Sequence, residues 1–156
     1  MSVWRNEADI RLVTLGSRVA GKLQTISGAA THQVFTVTGG NVLITAMWGV
    51  TATTMAGANT VNVQTDPTTG DTVVIATATD LGTTDTAAGT LLGCLFDQDG
   101  TTNTPGLVKG SGSPLTFMAP IGEVESVVTE ATADGAIQWY CTYVALDDGA
   151  SVAAAA

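Results

Sequence analysis

Ionisable side chains are scarce in this sequence. Of its 156 residues 12% are charged, five are Lys or Arg, and one is His. Beyond residue 22 the sole cation is Lys109, which excludes nucleic-acid binding through that part, because phosphate contacts need clustered Lys and Arg. Two Cys and one His do not make a zinc ligand set. The nucleophile and phosphate signatures GxSxG, GxGxxG and GxxxxGK[ST] are absent. His32 has no Ser, Cys or carboxylate pattern around it and reads as a surface or packing residue rather than a base. Long apolar runs are missing too. The longest, Val42 to Val50 around Thr45, is far below the roughly 20 residues that span a bilayer. Met1 to Lys22 lacks the apolar core of a signal peptide. The expectation is a soluble protein with no membrane partner and no cofactor.

What is present is apolar and small. Apolar residues make up 45%, so the chain is able to bury the core of one ordinary domain. Few long charged side chains and many Gly, Ala and Thr suit either flat faces that pack on protein or a surface coated in Thr and Asn. The charge is unevenly placed. Arg5, Arg11, Arg18 and Lys22 stand beside only Glu7 and Asp9 in the first 22 residues, a net +2, whereas the remainder is −11. That polarity favours a basic arm docking on something acidic, including a neighbouring copy. Residues 1–30 hold no sustained period and are broken by Gly16, Gly21 and Gly28, which reads as an extended arm; the alternative is a first strand pairing inside the domain. Cys94 and Cys141 lie in apolar strand contexts and read as buried thiols ahead of a disulfide.

From residue 31 the pattern is β throughout. Eight or nine short strands, with turn chemistry near every tenth residue, predict an all-β antiparallel β-sandwich or jelly-roll-like domain over 31–148, followed by a small-residue tail over 149–156. Val42 to Thr53 is apolar on both faces, through Val42, Ile44, Ala46, Trp48 and Val50 against Leu43 and Met47. That predicts a central strand or one covered by another subunit, and makes Leu43, Met47 and Trp48 subunit-packing candidates. Glu123 to Leu146 reads as a long β-hairpin around Asp134-Gly135, a preferred type I′ pair, with a three-residue turn as the other register. Its alternation sends Val124, Val128, Ile137, Trp139, Cys141 and Tyr143 to the buried face.

Candidate chemistry is thin. Glu123, Glu125 and Glu130 read as solvated strand positions rather than a glycosidase pair. Asp97, Asp99 and Asn103 resemble part of a calcium loop, without the closing Glu or flanking helices, and a solvated Asx turn is the plainer reading. No catalytic residue is assigned, and the expectation is a protein that is not an enzyme.

The closing run, with Gly122, Asp134-Gly135, Ile137-Gln-Trp-Tyr140, Tyr143 and Leu146-Asp-Asp-Gly-Ala150, is similar to small proteins encoded among tailed-bacteriophage structural genes. The whole chain resembles the decoration, or cement, proteins of phage capsids. That resemblance implies a β-rich domain whose arm crosses neighbouring subunits on the capsid exterior, made in the host cytoplasm and partnered by the major capsid protein and by itself, with a homotrimer favoured. Trp4, Arg5, Arg11, Arg18 and Lys22 would anchor the arm. Two other readings stand beside it. One is a carbohydrate- or receptor-binding module of a fibre or tail, with its site in loops 80–90 and 97–106; the other is a tail or connector protein.

Overall fold

The computed structural model describes residues 12, 14–82, 84–95, 105–110 and 112–156. Among the described residues the fold is all-β: eleven strands in one sheet, curled until it is nearly barrel-shaped. They are β1 (Ser17–Thr25), β2 (Ala30–Thr38), β3 (Val42–Thr53), β4 (Thr60–Pro67), β5 (Val73–Asp80), β6 (Leu91–Leu95), β7 (Gly106–Lys109), β8 (Leu115–Ala119), β9 (Gly122–Val128), β10 (Ala136–Ala145) and β11 (Ser151–Ala154). The order is β1-β10-β3-β6-β7-β5-β4-β9-β2-β11, with β8 on β3. We call β1, β10, β3, β8, β6 and β7 the front half, and β5, β4, β9, β2 and β11 the back half. A single parallel pair, Thr77 with Gly106, joins them between β5 and β7. At the opposite seam, Lys22 Nζ donates to Ala156 O at 2.6 Å.

Both halves send alternate side chains into one interior. Phe35, Val37, Val61, Val63 and Val124 come from the back, and Ile44, Met47, Leu92, Leu107, Ile137 and Trp139 from the front. Trp139 has no exposed surface, and its Nε1–H donates to Gln24 Oε1 at 2.8 Å, which satisfies the one polar group on the largest core side chain. Cys94 and Cys141 are buried, unpaired thiols, as their strand contexts predict.

The expected hairpin does not form. β9 pairs with β2 and β4, and β10 pairs with β1 and β3, so the two lie in opposite halves. A type I′ turn needs φ > 0 at both central residues. Gly135 has it at 95°, but no described non-glycine residue does, Asp134 included. Asp134 serves the crossing instead: its Oδ1 accepts from Ala56 N–H at 2.8 Å and from Asn59 Nδ2 at 3.1 Å. The crossing from β9 to β10 is hydrogen-bonded to the one from β1 to β2, through Ile26 N–H to Gly135 O and Gly28 N–H to Ala133 O. The buried face was nonetheless read correctly for Val124, Val128, Ile137, Trp139 and Cys141. Alternation says which way a side chain points, and it does not say which strand lies alongside.

Two boundaries change as well. Residues 17–25 of the expected arm are β1, fully paired along β10 from Ser17↔Tyr143 to Thr25↔Ala136 across one bulge. The three glycines that made this stretch look irregular have local reasons; a Cβ on Gly16 would sit 2.0 Å from Tyr143 O. The expected tail contains β11, which pairs with β2 and buries Val152.

Candidate interaction surface

β3 shows how the outer front face is set. Opposite β10, Thr142 meets Ala46 and Tyr143 meets Ile44, which leaves Thr45 as an extra residue. This bulge reverses the alternation, so Val42 and Ile44 point inward before it and Met47, Gly49 and Thr51 after it. Met47 is therefore a core side chain at 1% exposure, and its assignment as a subunit-packing residue is corrected. Leu43 and Trp48 do lie on the outer face, half-buried. The bulged Thr45 Oγ1 donates to Leu15 O at 2.7 Å, which fixes the chain entering β1 against this face.

Side by side across β1, β10 and β3 stand Ala20, Tyr140 and Trp48. The Trp48 and Tyr140 rings stack with centroids 5.6 Å apart and planes 21° from parallel. The Arg18 guanidinium lies 4.8 Å from the Tyr140 centroid on the same face, a cation–π contact of about 0.5–1 kcal/mol at an exposed site. Tyr140 thus takes part in both contacts, and Trp48 in one. The outer side of Trp48 borders a cleft of about 290 Å³, walled by Ala46, Leu91, Gly93, Gly112 and Pro114. The cleft wall is held by a backbone bridge: Cys94 N–H donates to Ser113 O at 2.8 Å and Ser113 N–H to Cys94 O at 2.9 Å. Glycine is required there, since a Cβ on Gly93 would meet Gly112 O at 2.7 Å. Further along the face, Val144, Leu43 and Met118 align across β10, β3 and β8, with Met118 70% exposed. None of the six front strands contains Asp or Glu.

The back half presents the opposite exterior. Outward positions of β9, β4 and the start of the following link carry Glu123, Glu125, Asp66 and Glu130, with Glu125 buried at 6% exposure and so not the solvated position expected of it. Each carboxylate accepts from a neutral neighbour: Thr36 Oγ1 at 2.9 Å, Gln64 Nε2 at 2.8 Å, Thr72 Oγ1 at 2.8 Å and Thr60 Oγ1 at 3.1 Å, respectively. Val74 stands outward beside Gln64 and is 44% exposed.

The remaining candidates distribute as follows. Arg18 and Lys22 belong to β1 and not to an arm, Arg18 on Tyr140 and Lys22 at the seam. Trp4, Arg5 and Arg11 lie outside the described residues, as do Asp97, Asp99 and Asn103. Among the described residues no three His, Cys, Asp or Glu side chains gather as a metal site, and no helix is long and apolar enough to cross a membrane. His32 lines a recess of about 380 Å³ at the seam with Lys22, Gln24 and Glu125. Burial lowers its pKa below 6.5, so it is neutral at pH 7. Burial also pushes the Cys94 and Cys141 thiols up to about 12, which keeps both protonated and unreactive. Sequence reading missed Met118, Leu91 and the cleft, because each depends on which strands become neighbours. No protein-family model, curated protein or solved structure matches the chain.

Proposed function

We propose that this chain is a non-enzymatic structural protein of a phage particle that decorates the capsid exterior, bridges neighbouring subunits of the major capsid protein and associates with copies of itself. One observation carries the reading: the outer front face, a charge-poor band of Leu43, Trp48, Tyr140, Leu91, Val144 and Met118 whose charged member is Arg18. Four strands about 4.8 Å apart and about seven residues long make a flat footprint of roughly 450 Å², before side-chain relief. A standard interface takes about 800 Å² of accessible surface from each partner, so the face is large enough to be the centre of one. Its apolar groups form a band instead of being scattered singly, which favours protein as the partner. Loops 80–90 and 97–106 hold no aromatic side chain for a sugar to stack on, and this weighs against the carbohydrate reading. In this reading the two halves act as the layers of a flattened sandwich, and residues 1–11, with Trp4, Arg5 and Arg11, anchor on the shell.

The test is co-sedimentation with shells assembled from the major capsid protein of the same genome. Binding at hundreds of copies per shell, with shells that then resist heating better, is the expected result. Shells that sediment bare at saturating protein would overturn it.

A further inference from the structure

This inference rests on the reading of the front face as a protein-packing surface and names what packs there. We propose that it is the back face of a second copy, in a front-to-back contact. Arg18 meets the carboxylate of Glu123, and Val74 enters the cleft beside Trp48.

Charge supplies the first reason. The front strands hold Arg18, Lys22 and Lys109 and no acid, while Asp66, Glu123 and Glu130 stand on the outer back face. Among the described residues these three carboxylates have neutral hydrogen-bond donors but no cation, and Arg18 has a ring but no carboxylate. Each face thus lacks the charge that the other offers.

Spacing supplies the second. Arg18 is on β1 and the cleft opens beyond Trp48 on β3, two strands away. Glu123 is on β9 and Val74 is on β5, also two strands away. Both separations are about 10 Å. One docking therefore brings cation to anion and apolar side chain to apolar cleft together. A front-to-front pairing would place two basic faces against each other and leave the carboxylates unpaired. A front-to-back contact is heterologous, so it continues from copy to copy and closes into a ring or runs on as a filament. Such self-bridging is what a shell brace requires.

Light scattering from about 10 to about 300 µM protein tests it, at about 50 mM and about 500 mM salt. The mass should exceed the 15.7 kDa of one chain, rise with concentration and fall with salt. Arg18→Glu and Glu123→Arg should each weaken association about tenfold or more, Val74→Asp similarly, and the double variant Arg18→Glu/Glu123→Arg should recover most of the loss. Circular dichroism and melting of each variant separate lost association from lost fold. A wild-type monomer throughout the range overturns the proposal. So does association that Trp48→Ala abolishes while Glu123→Arg and Val74→Asp leave it intact, the signature of a front-to-front pair or of another occupant. Shell binding is read separately. Shells decorated equally well by Arg18→Glu would remove this contact and keep the proposed function, and self-association without shell binding would do the reverse.

Discussion

Across β1, β10 and β3 the outward neighbours are Ala20, Tyr140 and Trp48; across β2, β9 and β4 they are Thr36, Glu123 and Asp66. Inward, the same strands are alike, with Ile137, Trp139 and Ile44 on one side and Phe35, Val124 and Val63 on the other. The interior is common because both halves fill one closely packed space. The exteriors have no such constraint, so their difference reflects what each half meets. A row of carboxylates held by hydroxyl and amide donors is stable in water alone, whereas a stacked aromatic pair beside an apolar cleft gains most when something covers it. In the proposed reading the back half meets solvent or cations, and the front half meets protein.

Substitution of the two tryptophans breaks this comparison most strongly. Trp139 and Trp48 are both front-half residues, but Trp139 points inward with 0% exposure and Trp48 points outward. Trp139→Ala should cost about 3–5 kcal/mol, lowering the melting temperature by roughly 10–15 °C, because it opens a cavity and leaves Gln24 Oε1 without its donor. Trp48→Ala should cost under about 1.5 kcal/mol, the stack and its partly buried area being all it removes. Equal losses in a thermal melt would mean that the outer face is part of the core and not an interface.

Next in size is the crossing that joins the halves. Asp134→Ala removes the acceptor for Ala56 N–H and for the Asn59 amide, and Asn59 is fully buried. A loss of about 1–3 kcal/mol is expected. Asp134→Asn should retain much of it, since an amide oxygen still accepts. Chemical denaturation measures both, and a neutral Asp134→Ala would show that the halves are held by the core alone.

These two cases also mark what was legible in the sequence. Whether Trp139, Val124 or Cys141 is buried follows from period-2 alternation, a local property, and it was readable even with the wrong partner strand assumed. Asp134-Gly135 misled because the pair is equally at home in a tight turn and in a crossing; only Ala56 and Asn59, more than 70 residues earlier, distinguish the two. Met47 was misplaced because a bulge is one extra residue, and nothing in Ile44-Thr-Ala-Met47 shows that Thr45 is the extra one until β10 is alongside. The front face is a sum of five strands' outward residues, so only Leu43 and Trp48, which share β3, were picked out.

The thiols sharpen the comparison from within, because Cys94 and Cys141 both lie inside the front half. Their folded pKa is raised to about 12 from 9.0 by burial. A raised folded pKa means that the folded state holds protons the unfolded state has released, so stability is full below about 9 and is lost as pH rises toward 12. Cys141→Ala should flatten that alkaline loss while lowering stability at pH 7 by about 1 kcal/mol for the lost sulfur packing. Melting between pH 8 and 11 checks it; an unchanged slope would assign the alkaline loss to other groups. In the native state at pH 8 both thiols should resist alkylation for as long as the fold persists.

The smallest expected effect belongs to the seam. His32, on β2, is kept neutral by burial, with a folded pKa below its ordinary 6.5. Between the folded and unfolded values the unfolded chain binds the extra proton, so stability rises with pH through that interval and is level above 6.5. The loss on acidification should be modest, because the ring is only partly shielded and lines an open recess with Glu125 and Lys22 nearby. His32→Gln should remove the slope below pH 6.5 and leave the melting temperature at pH 8 nearly unchanged. Titration of the imidazole by NMR gives the folded value directly. A value above 6.5 would mean that the neighbouring Glu125 outweighs burial, and the seam would then be held together more firmly in acid.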